Sequence, residues 1–244
     1  MKVPLFLKIV IPFILLVFVL SFGFYAWAKQ GYEAEPEPLE QVRGNEQVVI
    51  TDTDYYISLR PQQVNGKGLI FYPGAKVDPH AYLWKMSEVA TRTNTEVFLV
   101  KPRLNMAILS INYADKVRAD FPQITSWYMA GHSLGGTAAC FYTKEHPEIV
   151  GLILLASYCS TDISTLETKV LSIVGGRDQL TTMATIEANR RNLSQGNVIR
   201  ELPGMNHAQV GDYGNQAGDL PPSIEDGQVR EGLAFFFQEF FINN

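Results

Sequence analysis

Around Ser133 the sequence changes its hydrophobic period within five residues. Trp127-Tyr128-Met129-Ala130 is a short apolar, β-rich run, Leu134 to Glu145 has the length of a helix, and Gly131-His132-Ser133-Leu134-Gly135 joins them. A G-x-S-x-G pentapeptide entered from a strand and left by a helix makes a sharp turn that strains the serine backbone and packs its flanks tightly. Only glycine leaves room at both flanks, which accounts for Gly131 and Gly135. Gly136, Ala138 and Ala139 then let the helix sit close on a sheet. The bland alternative, a glycine-rich turn with an incidental serine, does not explain why strand and helix both stand in place.

The rest of the body fits the same architecture. Strand-like runs occur at 48–50, 55–59, 69–72, 97–100, 127–130, 149–156, 170–174 and 198–202, with helix-length segments at 82–91, 113–120, 134–145, 182–193 and 229–240. The first two runs read as a hairpin, and the remainder follow a β-α-β rhythm. This predicts an α/β fold, a mostly parallel sheet of about eight strands with helices on both faces. The nearly continuous apolar run Gly151 to Ala156 is what a buried parallel strand requires.

A serine hydroxyl needs a base to take its proton and an acid to hold that base in one tautomer. The order serine, acid, histidine belongs to this kind of turn. Of four histidines, His80 and His132 precede Ser133, and His146 ends the helix that the turn opens, where it reads as a cap. His207 remains, on the loop after the last strand. Asp178 is the preferred acid, because Gly175-Gly176-Arg177-Asp178 turns off the carboxyl end of a strand, where open α/β sheets place their sites. Asp162, after the preceding strand, is the alternative. Two N–H groups must face the developing oxyanion; Leu134 supplies one, and Ala75, in the loop Pro73-Gly74-Ala75-Lys76, supplies the other. Asp78, His80 and Tyr82 follow that loop; lining it is one reading, and surface polarity is the preferred one.

These residues carry a resemblance. Residues 48–241 resemble the alpha/beta hydrolase superfamily, in particular its compact form known as alpha/beta hydrolase fold-5, through Gly131-His132-Ser133-Leu134-Gly135, Gly175-Gly176-Arg177-Asp178, His207 and Pro73-Gly74-Ala75. The resemblance implies a Ser133–His207–Asp178 triad and ester-type hydrolysis. Pro73 departs from the pattern, since many members carry a histidine there. Relatives with lids insert a helical cap between the strands ending near Ala156 and beginning at Lys169; about a dozen residues leave no room for one, so an open cleft is expected.

Composition enters at the N-terminus. The chain has 244 residues, 46% hydrophobic and only 18% charged, against about 25% charged in an ordinary soluble domain. The deficit is local: Ile9 to Ala28 contains no acid and no strong base, and at 1.5 Å per residue it reaches about 30 Å, the thickness of a bilayer core. Lys2 and Lys8 precede it, while Glu33, Glu35, Glu37 and Glu40 follow Lys29. The reading is a cytoplasmic N-terminus (1–8), a transmembrane signal-anchor (9–28), an acidic extended linker (29–45) that lifts the domain off the membrane, and a hydrolase domain (46–244) outside the cytoplasm. Ala26-Trp27-Ala28 also has the form of a cleavage site, so a cleaved signal peptide and a secreted domain stay open.

No H-E-x-x-H, C-x-x-C or Walker sequence is present, so no cofactor and no metal site is expected. The acidic body speaks against nucleic acid as a partner. Expected partners are a small-molecule ester or thioester and the lipid bilayer. Cys140 and Cys159 read as small core residues, with a disulfide open. Asn192-Leu193-Ser194 is a glycosylation sequon, relevant only where the host glycosylates. Gly211 to Asp219 reads as a mobile loop, and Phe235, Phe236, Phe237, Phe240 and Phe241 as the inner face of the last helix. Hydrolysis, acyl transfer to an envelope acceptor, and a non-catalytic binding module on the same scaffold all stay open at this level.

Overall fold

The structure is a computed structural model in which residues 4–243 are described. Residues 1–3, part of the expected cytoplasmic stretch, and Asn244 lie outside the described residues. The chain runs α1 (Leu5–Lys29), α2 (Pro36–Arg43), β1 (Val48–Asp52), β2 (Tyr56–Pro61), β3 (Lys67–Tyr72), α3 (Leu83–Thr93), β4 (Glu96–Val100), α4 (Tyr113–Asp120), β5 (Ser126–His132), α5 (Leu134–Glu145), β6 (Gly151–Leu155), β7 (Lys169–Gly175), α6 (Met183–Asn189), β8 (Val198–Leu202) and α7 (Asp226–Ile242), with short 3₁₀ turns between.

The eight strands form one sheet in the order β1-β2-β4-β3-β5-β6-β7-β8. β1 and β2 are the antiparallel hairpin expected from sequence, and β2 runs antiparallel to β4. From β4 onward every pairing is parallel, with Phe71 opposite Ala130 and Gly131 opposite Leu154. Because side chains alternate across a strand, Leu69, Phe71, Tyr128 and Ala130 face one side with Val89 of α3 and Phe237 of α7. Ile70, Tyr72, Trp127 and Met129 face the other, with Val117 of α4 and Ala139 of α5. The two half-cores sandwich the sheet, and the parallel strands deliver all their carboxyl ends to one edge.

Several local expectations are corrected. Residues 29–45 are not an extended linker. α2 forms there, with Pro36 in its first turn where a missing N–H costs nothing. Val42 is buried among α3 residues, and Tyr32 pairs with Val77 in a parallel bridge. The Gly211–Asp219 segment is not loose throughout, because Gly211, Asp212 and Tyr213 are buried and the Asp212 N–H donates to the Ala81 carbonyl. Phe237, Phe240 and Phe241 are buried, but Phe235 points outward, one turn position away from the core-facing stripe. The sequon is engaged: Asn192 Nδ2 donates to the Cys159 carbonyl and Ser194 is buried.

Cys140 of α5 and Cys159 after β6 are paired as a disulfide across 5.6 Å between Cα atoms. Both cysteines are buried, so the cross-link lies in the half-core beneath α5.

Except at its C-terminal end, where Ala28 is buried, α1 stands apart from this packing. Within it, Phe6–Ala28 is a 23-residue stretch of mean hydropathy 2.6, long and apolar enough to cross a membrane, with none of its most apolar window buried. It begins earlier than the expected span and takes in Lys8.

Candidate active site

The site lies at the carboxyl edge of the sheet, where β5 ends. Ser133 follows β5 with φ 52° and ψ −124°, a left-handed conformation that an L-residue adopts only under constraint. The constraint is visible on both sides. The Ser133 N–H donates to the Leu155 carbonyl at 3.0 Å, and its own carbonyl accepts from Ser157 Oγ at 2.6 Å. A side chain at Gly131 would collide with the Gly135 backbone, and one at Gly135 with the Tyr72 carbonyl. The two glycines are therefore required by close backbone approach, as the pentapeptide suggests. Ser133 remains half-buried.

Asp178 and His207 come from the turns after β7 and β8. The Arg177 N–H donates to the Met205 carbonyl and the Gly176 N–H to that of Leu202, which stitches the two turns together. His207 Nδ1 lies 2.9 Å from Asp178 Oδ2, and both side chains are almost completely buried. The other carboxylate oxygen, Oδ1, accepts from the N–H groups of Leu180 (2.8 Å) and Thr181 (2.7 Å). Both faces of the carboxylate are thus occupied, and its orientation is fixed. With Nδ1 donating to a carboxylate, His207 Nε2 is the ring nitrogen left to act as a base. Ser133 Oγ makes no hydrogen bond among the described residues; serine-histidine bonds are often long before substrate binds.

The alternative acid does not reach the site. Asp162 is exposed and accepts from its neighbour Ser164, which also lowers its pKa.

The loop after β3 approaches β5 from the other side. The amides of Ala75 and Leu134 donate to no protein acceptor among the described residues, and both residues are half-buried. The Gly74 amide is used differently: it donates to the Tyr82 hydroxyl at 2.9 Å, and that hydroxyl lies 2.9 Å from His132 Nδ1. A side chain at Gly74 would press on His132 Nδ1, so the loop can approach the imidazole only through glycine.

Tyr82 and His132 are the residues that a linear reading passes over. Tyr82 is not surface polarity; it is fully buried, and burial keeps its phenol protonated by pushing its pKa up. His132 is also buried, with its ring 4.7 Å from that of His207. Burial, helped by electrostatic repulsion from His207 and Lys85, holds its pKa well below the usual imidazole value. It is therefore neutral, with Nδ1 accepting from the phenol and the proton on Nε2, on the side of the His207 backbone. His80, by contrast, bonds Asp78 and Asp52 near the surface, and its pKa is raised, first by Asp78.

Behind Tyr82 lies Lys85, completely buried, whose ammonium donates to Asp212, to Asp226 at 3.0 Å and to the Gly211 carbonyl at 3.0 Å. It ties α3 to the segment that follows His207 and to the first turn of α7. A lysine inside a helix is ordinarily read as solvated, so nothing local in the sequence marks it.

A doubly covered, mostly parallel sheet with a strained serine turn at its carboxyl edge defines the class of fold. Residues 68–231 match the model of the alpha/beta hydrolase family, and the chain belongs to that family. No curated protein matches it by sequence. Among solved structures it is similar to an esterase of Pyrobaculum calidifontis, with a TM-score of 0.61 and 15% identity, covering 83% of this chain and 88% of that one. It is also similar to a hormone-sensitive lipase from a metagenome library (TM-score 0.60, 14% identity, 90% and 97% covered). A third is carboxyl esterase 2 of the fungus Tuber melanosporum (TM-score 0.61, 10% identity, 86% and 91% covered).

Proposed function

We propose that this alpha/beta hydrolase is a membrane-tethered serine hydrolase that acts outside the cytoplasm on carboxylic esters or thioesters. The observation that carries the reading is a strained, half-buried Ser133 at the carboxyl edge of the sheet, together with a His207 held by Asp178 in the tautomer whose Nε2 is left to act as a base. Ser133 Oγ attacks the acyl carbon as His207 Nε2 takes its proton. The Ala75 and Leu134 amides stabilise the oxyanion. His207 then gives that proton to the leaving alcohol or thiol, and an acyl-enzyme remains. Water, deprotonated by the same nitrogen, displaces the acyl group and restores Ser133.

The structural neighbours support the reaction class, since they are an esterase, a lipase and a carboxyl esterase. The exposed apolar α1 supports the tether, with its more basic flank on the cytoplasmic side. The Cys140–Cys159 disulfide supports an oxidising compartment.

A fluorophosphonate probe tests the reading. Wild-type protein is expected to label covalently and to turn over p-nitrophenyl esters. Ser133→Ala is expected to lose both while melting within about 0.5 kcal/mol of wild type. Folded wild-type protein that neither labels nor turns over esters would overturn it.

A further inference from the structure

The anchor helix meets the domain beside the site. From Ile11 to Trp27 the side chains of α1 are exposed, and Ala28 is buried. The Lys76 ammonium sits 4.5 Å from the centre of the Trp27 ring. At Gly31 a side chain would press on the Lys76 carbonyl at 2.8 Å, and the Tyr32 N–H donates to that same carbonyl at 2.8 Å. The Asp78 N–H returns to the Tyr32 carbonyl, and the Tyr32 ring packs on Tyr213 at 5.4 Å. The Glu35 N–H then donates to the Asp212 carbonyl. The segment leaving the helix is thus fastened to two loops: the one that carries Ala75 and the one that follows His207.

This fastening sets a height. Tryptophan and tyrosine at the end of a span prefer the headgroup layer, and only Ala28, Lys29, Gln30 and Gly31 separate Trp27 from Tyr32. With no slack between span and domain, the face carrying Lys76 is held at the membrane surface. Ala75 is the next residue along. The same carboxyl edge exposes apolar side chains: Ile108 and Leu109 in the turns after β4, Leu180 two residues past Asp178, and Leu220 beyond His207, each 38% to 47% exposed. Lined up around a site in water they would be a cost; against acyl chains they are matched.

We infer that the substrate is an ester whose acyl chain is embedded in the bilayer that anchors the enzyme, a glycerolipid-type ester drawn to Ser133 from the membrane surface and not from free solution. This rests on the serine-hydrolase and tether readings given above.

The full chain, reconstituted into phosphatidylcholine vesicles, is assayed on water-soluble p-nitrophenyl butyrate and on a fluorogenic diacylglycerol carried in the same vesicles. A flexible Gly-Ser insertion of about ten residues between Gln30 and Gly31 leaves the Tyr32 contacts in place and adds a root-mean-square span of roughly 17–19 Å. The expected result is that wild type cleaves both esters. The insertion then lowers the rate on the embedded ester about tenfold, because the site spends less time at the surface, with the butyrate rate unchanged. A second variant, Ile108→Asn with Leu109→Asn, is expected to act in the same selective way without touching the tether, and it decides the matter if the insertion lowers both rates together. An embedded ester that is not cleaved while butyrate is, or is cleaved equally well by wild type and the deciding variant, overturns the inference and leaves the hydrolase reading standing. No turnover of either ester and no fluorophosphonate labelling would sink the hydrolase reading, and the inference with it; failure of the chain to float with vesicles would do the same through the tether.

Discussion

The Tyr82 phenol holds His132 Nδ1 and the Gly74 amide at the same distance, 2.9 Å from each. The amide can only donate to the phenol, so the phenolic proton goes to Nδ1, and the imidazole becomes the brace of the loop that presents Ala75. Tyr82→Phe removes the acceptor of one buried group and the donor of another. It is expected to cost about 1–3 kcal/mol of stability in chemical denaturation. It is also expected to lower kcat more than it raises KM, because the Ala75 amide, the proposed oxyanion donor, is displaced. A Tyr82→Phe enzyme with wild-type kcat would show that the brace does not act on Ala75.

Asp178 and Asp162 are separated by function in a single comparison. Asp178→Asn keeps the shape of the side chain but presents a neutral group to His207 Nδ1, which favours the wrong tautomer. In the serine-protease template the same change costs about 10⁴ in kcat, and a loss of that order is expected here in ester turnover. Asp162→Asn touches only Ser164 and is expected to leave kcat unchanged.

Lys85 is a buried cation with three partners, and removing it strands Asp212, whose second oxygen, Oδ2, has no partner among the described residues. Lys85→Met is expected to cost about 3–5 kcal/mol in urea denaturation. Replacing both partners, Lys85→Met with Asp212→Leu, is expected to recover most of that loss, because no uncompensated charge stays buried. A double variant no more stable than the single one would contradict this.

His132 gives the fold a definite response to acid. Its folded-state pKa lies well below 6.5 while the unfolded chain titrates near 6.5, so below that pH the unfolded state binds the extra proton. The contribution is complete above about pH 6.5 and is lost as the pH falls, by up to about 1.4 kcal/mol per unit until the folded-state pKa is reached. Asp212 opposes it: burial, against the attraction of Lys85, pushes its pKa up to about 6. The folded state therefore holds that proton between about pH 4 and pH 6, and Asp212 stabilises as the pH falls through that window. Comparing wild type with His132→Met across pH 5–7 isolates the first effect; parallel stability curves would count against it.

The disulfide closes a loop with a sequence separation of 19 residues. Cross-links over loops of that size stabilise by about 3 kcal/mol. Cys140→Ala with Cys159→Ala is expected to lower stability by about that amount, and reduction of the wild-type protein by dithiothreitol to lower Tm in step.

The parts of this molecule that could be read along the chain are those whose cause is local. The serine turn announces itself because glycines at two fixed offsets have no substitute, and the buried parallel strands because they are apolar on both faces. The insertion of β3 between β4 and β5 has no such mark, since strand order depends on which edges meet. An acidic segment containing Pro36 and Pro38 reads as extended, yet proline in a first turn is compatible with a helix. Apart from the Gly74 amide, the partners that give Tyr82, His132 and Lys85 their roles lie 50 to 141 residues away. The cysteine pairing depends on how α5 lies on β6, which no spacing encodes.

The bridge between Tyr32 and Val77 moves the true start of the folding unit. A protein trimmed at Glu46, where the regular alternation of strands and helices begins, would lack α2 over α3, the Tyr32 ring over Tyr213 and the backbone bonds to Lys76, Asp78 and Asp212. Any soluble form made for biochemistry should therefore begin no later than Gly31, or it will expose the underside of the loops that shape its own site.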